Sequence, residues 1–128
     1  MEPSASKEKA GLGEPHCFSD TAGVITSTTN ELPGYRVVRT LGTVYGLVVR
    51  SRNLGADIAS LLRSVVGGEL HYLTNMLYTA RNDAVGRMVG EALARGGNAV
   101  IAMRFDAGEI MSFGQVCAYG TAVVVEKL

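Results

Sequence analysis

The chain has 128 residues, 47% of them hydrophobic, which is enough for one domain to bury a core without disulfides or a metal. Twelve lysine and arginine residues balance twelve aspartate and glutamate residues, so no net charge favours nucleic acid or an anionic membrane as partner. The sequence shows neither a signal peptide nor an apolar run of the ~18 residues that a membrane span needs, and its two cysteines, Cys17 and Cys117, suit a reducing compartment, so we expect a cytoplasmic protein.

The N-terminal region differs in composition from the rest of the chain. Residues 1–23 are rich in Ser, Gly, Pro, Lys and Glu and contain few apolar residues. Such a segment cannot bury enough surface to offset the entropy lost on ordering, so we predict a disordered tail. The domain is therefore predicted to span residues 24–128, beginning with a short strand at residues 24–28.

A long strand is predicted next, after the turn signal Pro33-Gly34, because residues 35–51 are dense in Val, Tyr, Leu and Thr. Fully extended, this segment would reach about 56 Å at 3.3 Å per residue, whereas a domain of this size has a radius of gyration of about 14 Å. Gly42 and Gly46 are the positions where the strand would bend, bulge or pass close to another backbone. The alternative is that one end of the strand pairs with a neighbouring subunit.

Two helices are predicted in the middle of the chain. Apolar residues recur at helical spacing over residues 55–66, which Gly67-Gly68 would end, and again over residues 70–95. In the second helix, Asp83 with Arg87 and Glu91 with Arg95 would form ion pairs on a solvated face. Gly86 and Gly90, four residues apart, would allow another backbone to approach, as in a helix-to-sheet or subunit contact.

The last third of the chain is predicted to be a hairpin. Residues 98–106 alternate as a strand, residues 114–126 form the return strand, and residues 107–113 form an apolar connecting loop that packs on the core or on another subunit. The outer face of the sheet is expected to be apolar and to favour self-association. Its predicted members are Val38, Val44, Val48, Val100, Ala102, Val116, Ala118, Ala122 and Val124.

These elements predict an α+β fold in the order β-β-α-α-β-β, an antiparallel sheet with two helices on one face. The chain also resembles the YbjQ-like family of small bacterial proteins described as heavy-metal-binding. The resemblance covers residues 24–126 and is carried by the stretches TTNELPGYRVVRTLG, RSRNLGADI, SVVGGEL, ARNDAVGRMVGEA, GGNAVIAMRFD, EIM and AYGTAVVVE. It implies a ring-forming homo-oligomer, a pentamer, and it brings neither catalytic residues nor a ligand set.

Candidate metal donors are few. His16 and Cys17 are adjacent in the predicted tail, His71 opens the long helix beside Glu69, and Cys117 lies in an apolar strand where a thiol is ordinarily a small buried hydrophobe. In a symmetric ring one donor per chain would become several, so the metal ligands stay unknown at this point. A divalent or heavy metal follows from the resemblance alone.

Candidate residues for other kinds of chemistry are equally few. Asp106 and Glu109 would flank a turn and could act as an acid–base pair or hold a hard cation. In a ring, arginines from several copies could form belts that bind anionic ligands. A solvated rim would explain the same arginines equally well. The arginines concerned are Arg36, Arg39, Arg50, Arg52 and Arg63. No nucleophile motif, phosphate loop or set of stacking aromatic residues is present.

The sequence therefore favours a non-enzymatic, homo-oligomeric binding protein with no predicted catalytic or cofactor-binding residues. Its expected partner is another copy of itself, and neither nucleic acid nor a membrane is expected. The alternatives are an enzyme or a small anionic-ligand binder whose site lies at subunit interfaces, and a purely structural ring.

Overall fold

The structure, a computed structural model, describes residues 17–51, 65–66, 69–110 and 113–128. It confirms the predicted long strand residue for residue and the predicted long helix to within one residue at each end. The elements in chain order are β1 (Ile25–Thr26), β2 (Tyr35–Ser51), β3 (Val65–Val66), β4 (Glu69–Leu70), α1 (His71–Ala94), β5 (Ala99–Ile110) and β6 (Phe113–Lys127).

The main sheet has four strands in the order β1-β5-β6-β2, and β3 and β4 form a separate two-stranded hairpin. Strands β5, β6 and β2 are antiparallel, but β1 pairs with β5 in parallel, with Ile25 opposite Ala99. The α+β class is thus confirmed, while the prediction of a wholly antiparallel sheet is wrong. Parallel neighbours require a crossover connection, and here the chain between β1 and β5 includes α1.

One helix, α1, covers the sheet within the described residues. Most of the predicted first helix, at residues 55–66, lies outside the described residues. Its last two residues are strand β3, in which Val65 pairs with Leu70 and Val66 with Glu69. The predicted helix therefore does not extend to residue 66, because two β-branched residues beside a Gly-Gly pair suit extended backbone better than a helix end.

The main core lies between α1 and the sheet. Its helical members include Ala84, Met88 and Ala92, which are fully buried. Gly46 of β2 lies directly against α1, since a Cβ there would meet the Ala84 carbonyl oxygen and the Met88 backbone nitrogen. Gly46 therefore brings the helix backbone onto the strand, which confirms the prediction of a close approach.

The sequence assigned the wrong face of the sheet to solvent. Most of the residues predicted to lie outward are buried beneath α1, namely Val44, Val48, Val100, Val116, Ala118 and Ala122. Alternation along a strand separates two faces but does not say which of them meets the helix. The contact at Gly46, which brings the even-numbered residues of β2 under α1, identifies that face.

Three register shifts change the alternation. Two lie in β2, between Val37 and Arg39 and between Thr40 and Gly42, and the φ of 117° at Gly42 confirms the bulge predicted there. In β5 the register shifts between Ile101 and Arg104, and Ala102 has a φ of 54°. The shift in β5 turns the strand over, so that residues on either side of it no longer share the faces that simple alternation predicts.

The face switch in β5 is visible in the core. Met103 and Phe105 pack with Val100 in the main core, whereas Ala99 and Ile101 belong to a smaller cluster. That smaller cluster is completed by Val123 and Val125 of β6 and by partly buried side chains of the N-terminal part of the domain, Ile25, Leu32 and Tyr35. One end of the sheet is therefore covered on both faces.

The hairpin of β5 and β6 is longer than predicted. Ala107–Ile110 belong to β5, and Phe113 begins β6, with Glu109 opposite Gly114 and Ile110 opposite Phe113. The apolar loop predicted for residues 107–113 is therefore mostly strand. Gly108 and Gly114 interrupt the apolar pattern, so cross-strand pairing rather than local sequence extends the ladder.

Of the predicted tail, residues 17–23 are described. Cys17 and Phe18 are exposed, whereas Ser19 donates a hydrogen bond of 2.9 Å to the side-chain oxygen of Asn82 in α1. Among the described residues, no helix is both long enough and apolar enough to cross a bilayer.

Candidate functional site

Among the described residues, the candidate metal donors do not converge in one chain. Cys17 is exposed near the N-terminus, while Cys117 lies in the middle of β6, half-buried beside Asp106 of β5. Burial raises the pKa of the Cys117 thiol, and the negative charge of Asp106 raises it further, so the thiol is protonated at neutral pH. A protonated thiol is a poor metal ligand.

Within the described residues, no three His, Cys, Asp or Glu side chains lie close enough together to share a metal ion. His16 lies outside the described part of the chain, and His71 is the first residue of α1. The described residues of one protomer therefore do not fit a heavy-metal site. A metal would need donors from a second copy or from outside the described ranges.

The predicted acidic pair is not formed. Asp106 is paired with Cys117 and Glu109 with Gly114, and residues three apart in a regular strand lie on opposite faces of a sheet. Asp106 shares its face with Cys117, whereas Glu109 lies on the side of α1. The prediction placed both residues beside a turn, and it failed because β5 continues to Ile110.

The candidate arginines are spread over the surface. Arg36 pairs with Glu126 across β2 and β6 at 2.9 Å, and Arg50 pairs with Asp83 of α1 at 2.7 Å. Asp83 thus binds Arg50 rather than its predicted partner in the helix. Arg52 and Arg63 lie outside the described residues, and Arg39 is exposed on β2. No belt is visible within one protomer's described residues.

The face of the sheet opposite α1 is uncovered along much of its length. We call this surface the open face; it consists of Tyr45, Leu47 and Val49 of β2 with Phe113 and Tyr119 of β6, all exposed. Tyr45 pairs directly with Tyr119, and Leu47 pairs with Cys117. Large apolar side chains that are exposed together on one face of a sheet are typical of interaction sites, which makes the open face a candidate interaction surface.

Helix α1 also has an uncovered side. Gly86 is exposed, and a Cβ added there would meet nothing within 4 Å. Leu93, about two turns further along, is 52% exposed. Among the described residues of the protomer, no other backbone approaches Gly86 or Gly90 as predicted. This side, defined by Gly86 and Leu93 and called the outer helix face, is therefore available to a partner.

A third surface feature follows the edge of the sheet. An open groove of about 530 Å³ runs between β2 and α1, and we call it the edge groove. Its lining residues are Thr43, Val44, Tyr45, Gly46, Leu47, Arg87, Gly90, Glu91 and Arg95. Arg87 Nη1 donates a hydrogen bond of 2.6 Å to the Leu47 carbonyl oxygen. Arg95 Nη2 lies 3.8 Å from Glu91 Oε1, which makes a long ion pair.

Sequence reasoning did not identify the edge groove. Arg87 and Arg95 were expected on a solvated helix face, each paired with an acid four residues before it. The available signal was Gly46, because a close approach of helix and strand there places Arg87 over the strand edge. That inference requires knowing that α1 packs on β2, which the sequence does not state.

The chain is similar in sequence to a known protein family and to several of its members. The YbjQ family model, described as "Putative heavy-metal-binding", matches residues 24–126. A UPF0145 protein of Streptomyces griseus is 52% identical over 108 residues, covering 84% of this chain and 89% of the relative. A UPF0145 protein of Streptomyces avermitilis is 49% identical over 122 residues, covering 94% of this chain and 97% of the relative.

Among solved structures, a DUF74-family protein of unknown function from Pediococcus pentosaceus superposes with a TM-score of 0.58. It shares 17% sequence identity and covers 81% of this chain and 99% of its own. At that identity the similarity supports the fold alone. None of these descriptions names a reaction or a substrate.

Proposed function

Since this chain belongs to the YbjQ family, we propose that it acts as a non-enzymatic, homo-oligomeric binding protein of the cytoplasm. The observation that carries the proposal is the open face, where five large apolar side chains are exposed on one side of the sheet. Burial of such a surface is the main favourable term in protein association. A second copy of the same chain is the occupant we propose.

The second copy would present its outer helix face to the open face of the first copy. Large side chains such as Tyr119 and Val49 project from one surface, while Gly86 of the other leaves room for them because no atom of the described residues lies within 4 Å of its Cβ position. Leu93 adds apolar area to the helical side. Every copy carries both surfaces on opposite layers, so the contact is head-to-tail. Such a contact closes into a ring when the rotation between successive copies allows it, and we propose a closed ring here. The ring of five is the one that the family resemblance implies.

The assembly is tested by measuring its mass. Native mass spectrometry and light scattering of untagged protein should give about five times the 13.5 kDa of one chain. Val49→Glu places a charge in the contact and should weaken association by at least about tenfold, because the carboxylate would be buried without a partner. The matched control is Val38→Glu, which changes a similarly exposed valine of the same strand outside the open face.

The head-to-tail geometry has its own test. Leu93→Glu should also yield monomers, and mixing it with Val49→Glu should give heterodimers, since each variant retains one intact surface. If Leu93→Glu assembles normally, the copies meet through the open faces alone and the proposed geometry is wrong. A monomeric natural protein at micromolar concentration would contradict the proposal as a whole.

A heavy metal is the ligand that the family description suggests. Because one protomer's described residues do not supply enough donors, we propose that any such metal is shared between copies. The same spectra report it: metal taken up from micromolar zinc or copper should be present in the assembled protein and lost in the Val49→Glu monomer. Equal uptake by both forms would contradict sharing.

A further inference from the structure

The edge groove carries an inference beyond assembly. Strand β2 is the last strand of its sheet, paired with β6 alone among the described strands, although it is 17 residues long. An unpaired strand edge presents backbone N–H and C=O groups that can accept another strand. The free edge therefore offers regular main-chain hydrogen bonding along one wall of the groove.

Only part of this edge carries the features that normally prevent strand addition. The first half of β2 contains two register shifts, before and after Thr40, and the exposed Arg36 and Arg39. Bulges and charged side chains of this kind protect natural sheet edges. From Thr43 onward the pairing with β6 is regular to Ser51. The accessible stretch of edge is thus the one that lines the groove.

The charged lining of the groove favours an acidic ligand. Two guanidinium groups, Arg87 and Arg95, and one carboxylate, Glu91, line it. Arg87 already donates one of its five N–H groups to the Leu47 carbonyl, which shows that the main chain of β2 is within its reach. Its remaining N–H groups can bind a carboxylate while the ligand backbone lies beside Thr43–Tyr45. Gly90 leaves space on the helical wall.

We propose that the edge groove binds an extended acidic peptide segment, which adds as a strand to β2 beside Thr43–Tyr45 and places a carboxylate at Arg87 and Arg95. Strand addition gives affinity through main-chain hydrogen bonds, and side-chain contacts at alternate positions give specificity. This inference does not rest on the proposed assembly, because all the groove residues belong to one chain.

The probe is a fluorescein-labelled peptide of alternating valine and aspartate, titrated against the full-length assembled protein by fluorescence anisotropy. Two matched peptides separate the contribution of charge from that of main-chain hydrogen bonds. One has lysine in place of aspartate, and the other keeps aspartate but is N-methylated at alternate backbone nitrogens. We expect saturable binding of the first peptide and a loss of at least about tenfold in affinity for each of the others.

Matched variants locate the site. Arg87→Gln and Arg95→Gln should each weaken binding of the acidic peptide by about tenfold. Arg39→Gln removes an exposed arginine of the same strand outside the groove and should leave binding unchanged. Circular dichroism confirms that each variant is folded.

Several outcomes would overturn the inference. Equal binding of the N-methylated peptide would mean simple ion pairing rather than strand addition, and no saturable binding would exclude the site. Binding only to the Val49→Glu monomer would show that a second copy covers the edge in the assembly. Failure of the assembly proposal gives a different result, a monomeric natural protein that still binds the acidic peptide.

Discussion

At the scale of single residues, Gly46 determines how the two layers meet. Its missing side chain lets β2 contact the backbone of α1 at Ala84 and Met88. The neighbouring odd-numbered residues, Tyr45 and Leu47, consequently project to the opposite side of the sheet and help to form the open face. One glycine thus fixes both the buried face and the exposed one.

Gly46→Ala should destabilise the fold by about 1–3 kcal/mol, because the helix must move to admit a methyl group against backbone atoms. The matched control is Gly86→Ala, at a helical position with nothing within 4 Å, where alanine should add about 0.5–1 kcal/mol. Urea unfolding of both variants in the Val49→Glu background measures the difference without a contribution from assembly. Equal stabilities would show that α1 does not lie on β2 as described.

At the scale of elements, β2 fits the domain because it bulges. Gly42, at a φ of 117°, lies at the second register shift and adopts a conformation that residues with a Cβ rarely reach. The bulge separates the first half of the strand from the regular half that lines the edge groove. The position of the bulge at Gly42 therefore decides where the regular half of β2 begins, and with it the edge groove.

Gly42→Ala should cost about 1–2 kcal/mol through backbone strain, since no atom in the described part of the chain lies within 4 Å of the added methyl group. Gly114→Ala is the control, because Gly114 of β6 has the same open space but no positive φ. Thermal unfolding should show a lower midpoint for Gly42→Ala only. A similar fall for both variants would point to a general cost of side chains in these strands.

At the scale of the whole molecule, assembly and ligand binding should respond differently to salt. Twelve basic and twelve acidic residues leave no net repulsion between copies, and the proposed contact is apolar. At ~1 M salt the Debye length falls to about 3 Å, so exposed charges are screened while apolar contacts persist.

We therefore expect light scattering to give the same mass at low salt and at ~1 M sodium chloride, because salt does not weaken apolar burial. Binding of the acidic peptide in the edge groove should decline over the same range, because Arg87 and Arg95 act through charge. Dissociation of the assembly by salt would indicate an ionic contact instead of the open face.

The sequence by itself determined the family, the α+β class, the span of β2 and nearly the whole of α1. These depend on local patterns, such as β-branched residues between turn signals and apolar residues at helical spacing. It also indicated correctly that Gly42 and Gly46 mark a bulge and a close approach, since glycine permits both.

Only the tertiary structure decided which surfaces are exposed. Val44 and Val48 are buried and Tyr45 and Val49 are not, because α1 packs on one particular face of the sheet, a choice that alternation along a strand does not contain. The separation of Asp106 from Glu109 and the position of Arg87 over the edge of β2 follow from cross-strand register and helix packing. Both are non-local contacts, so neither leaves a pattern along the chain.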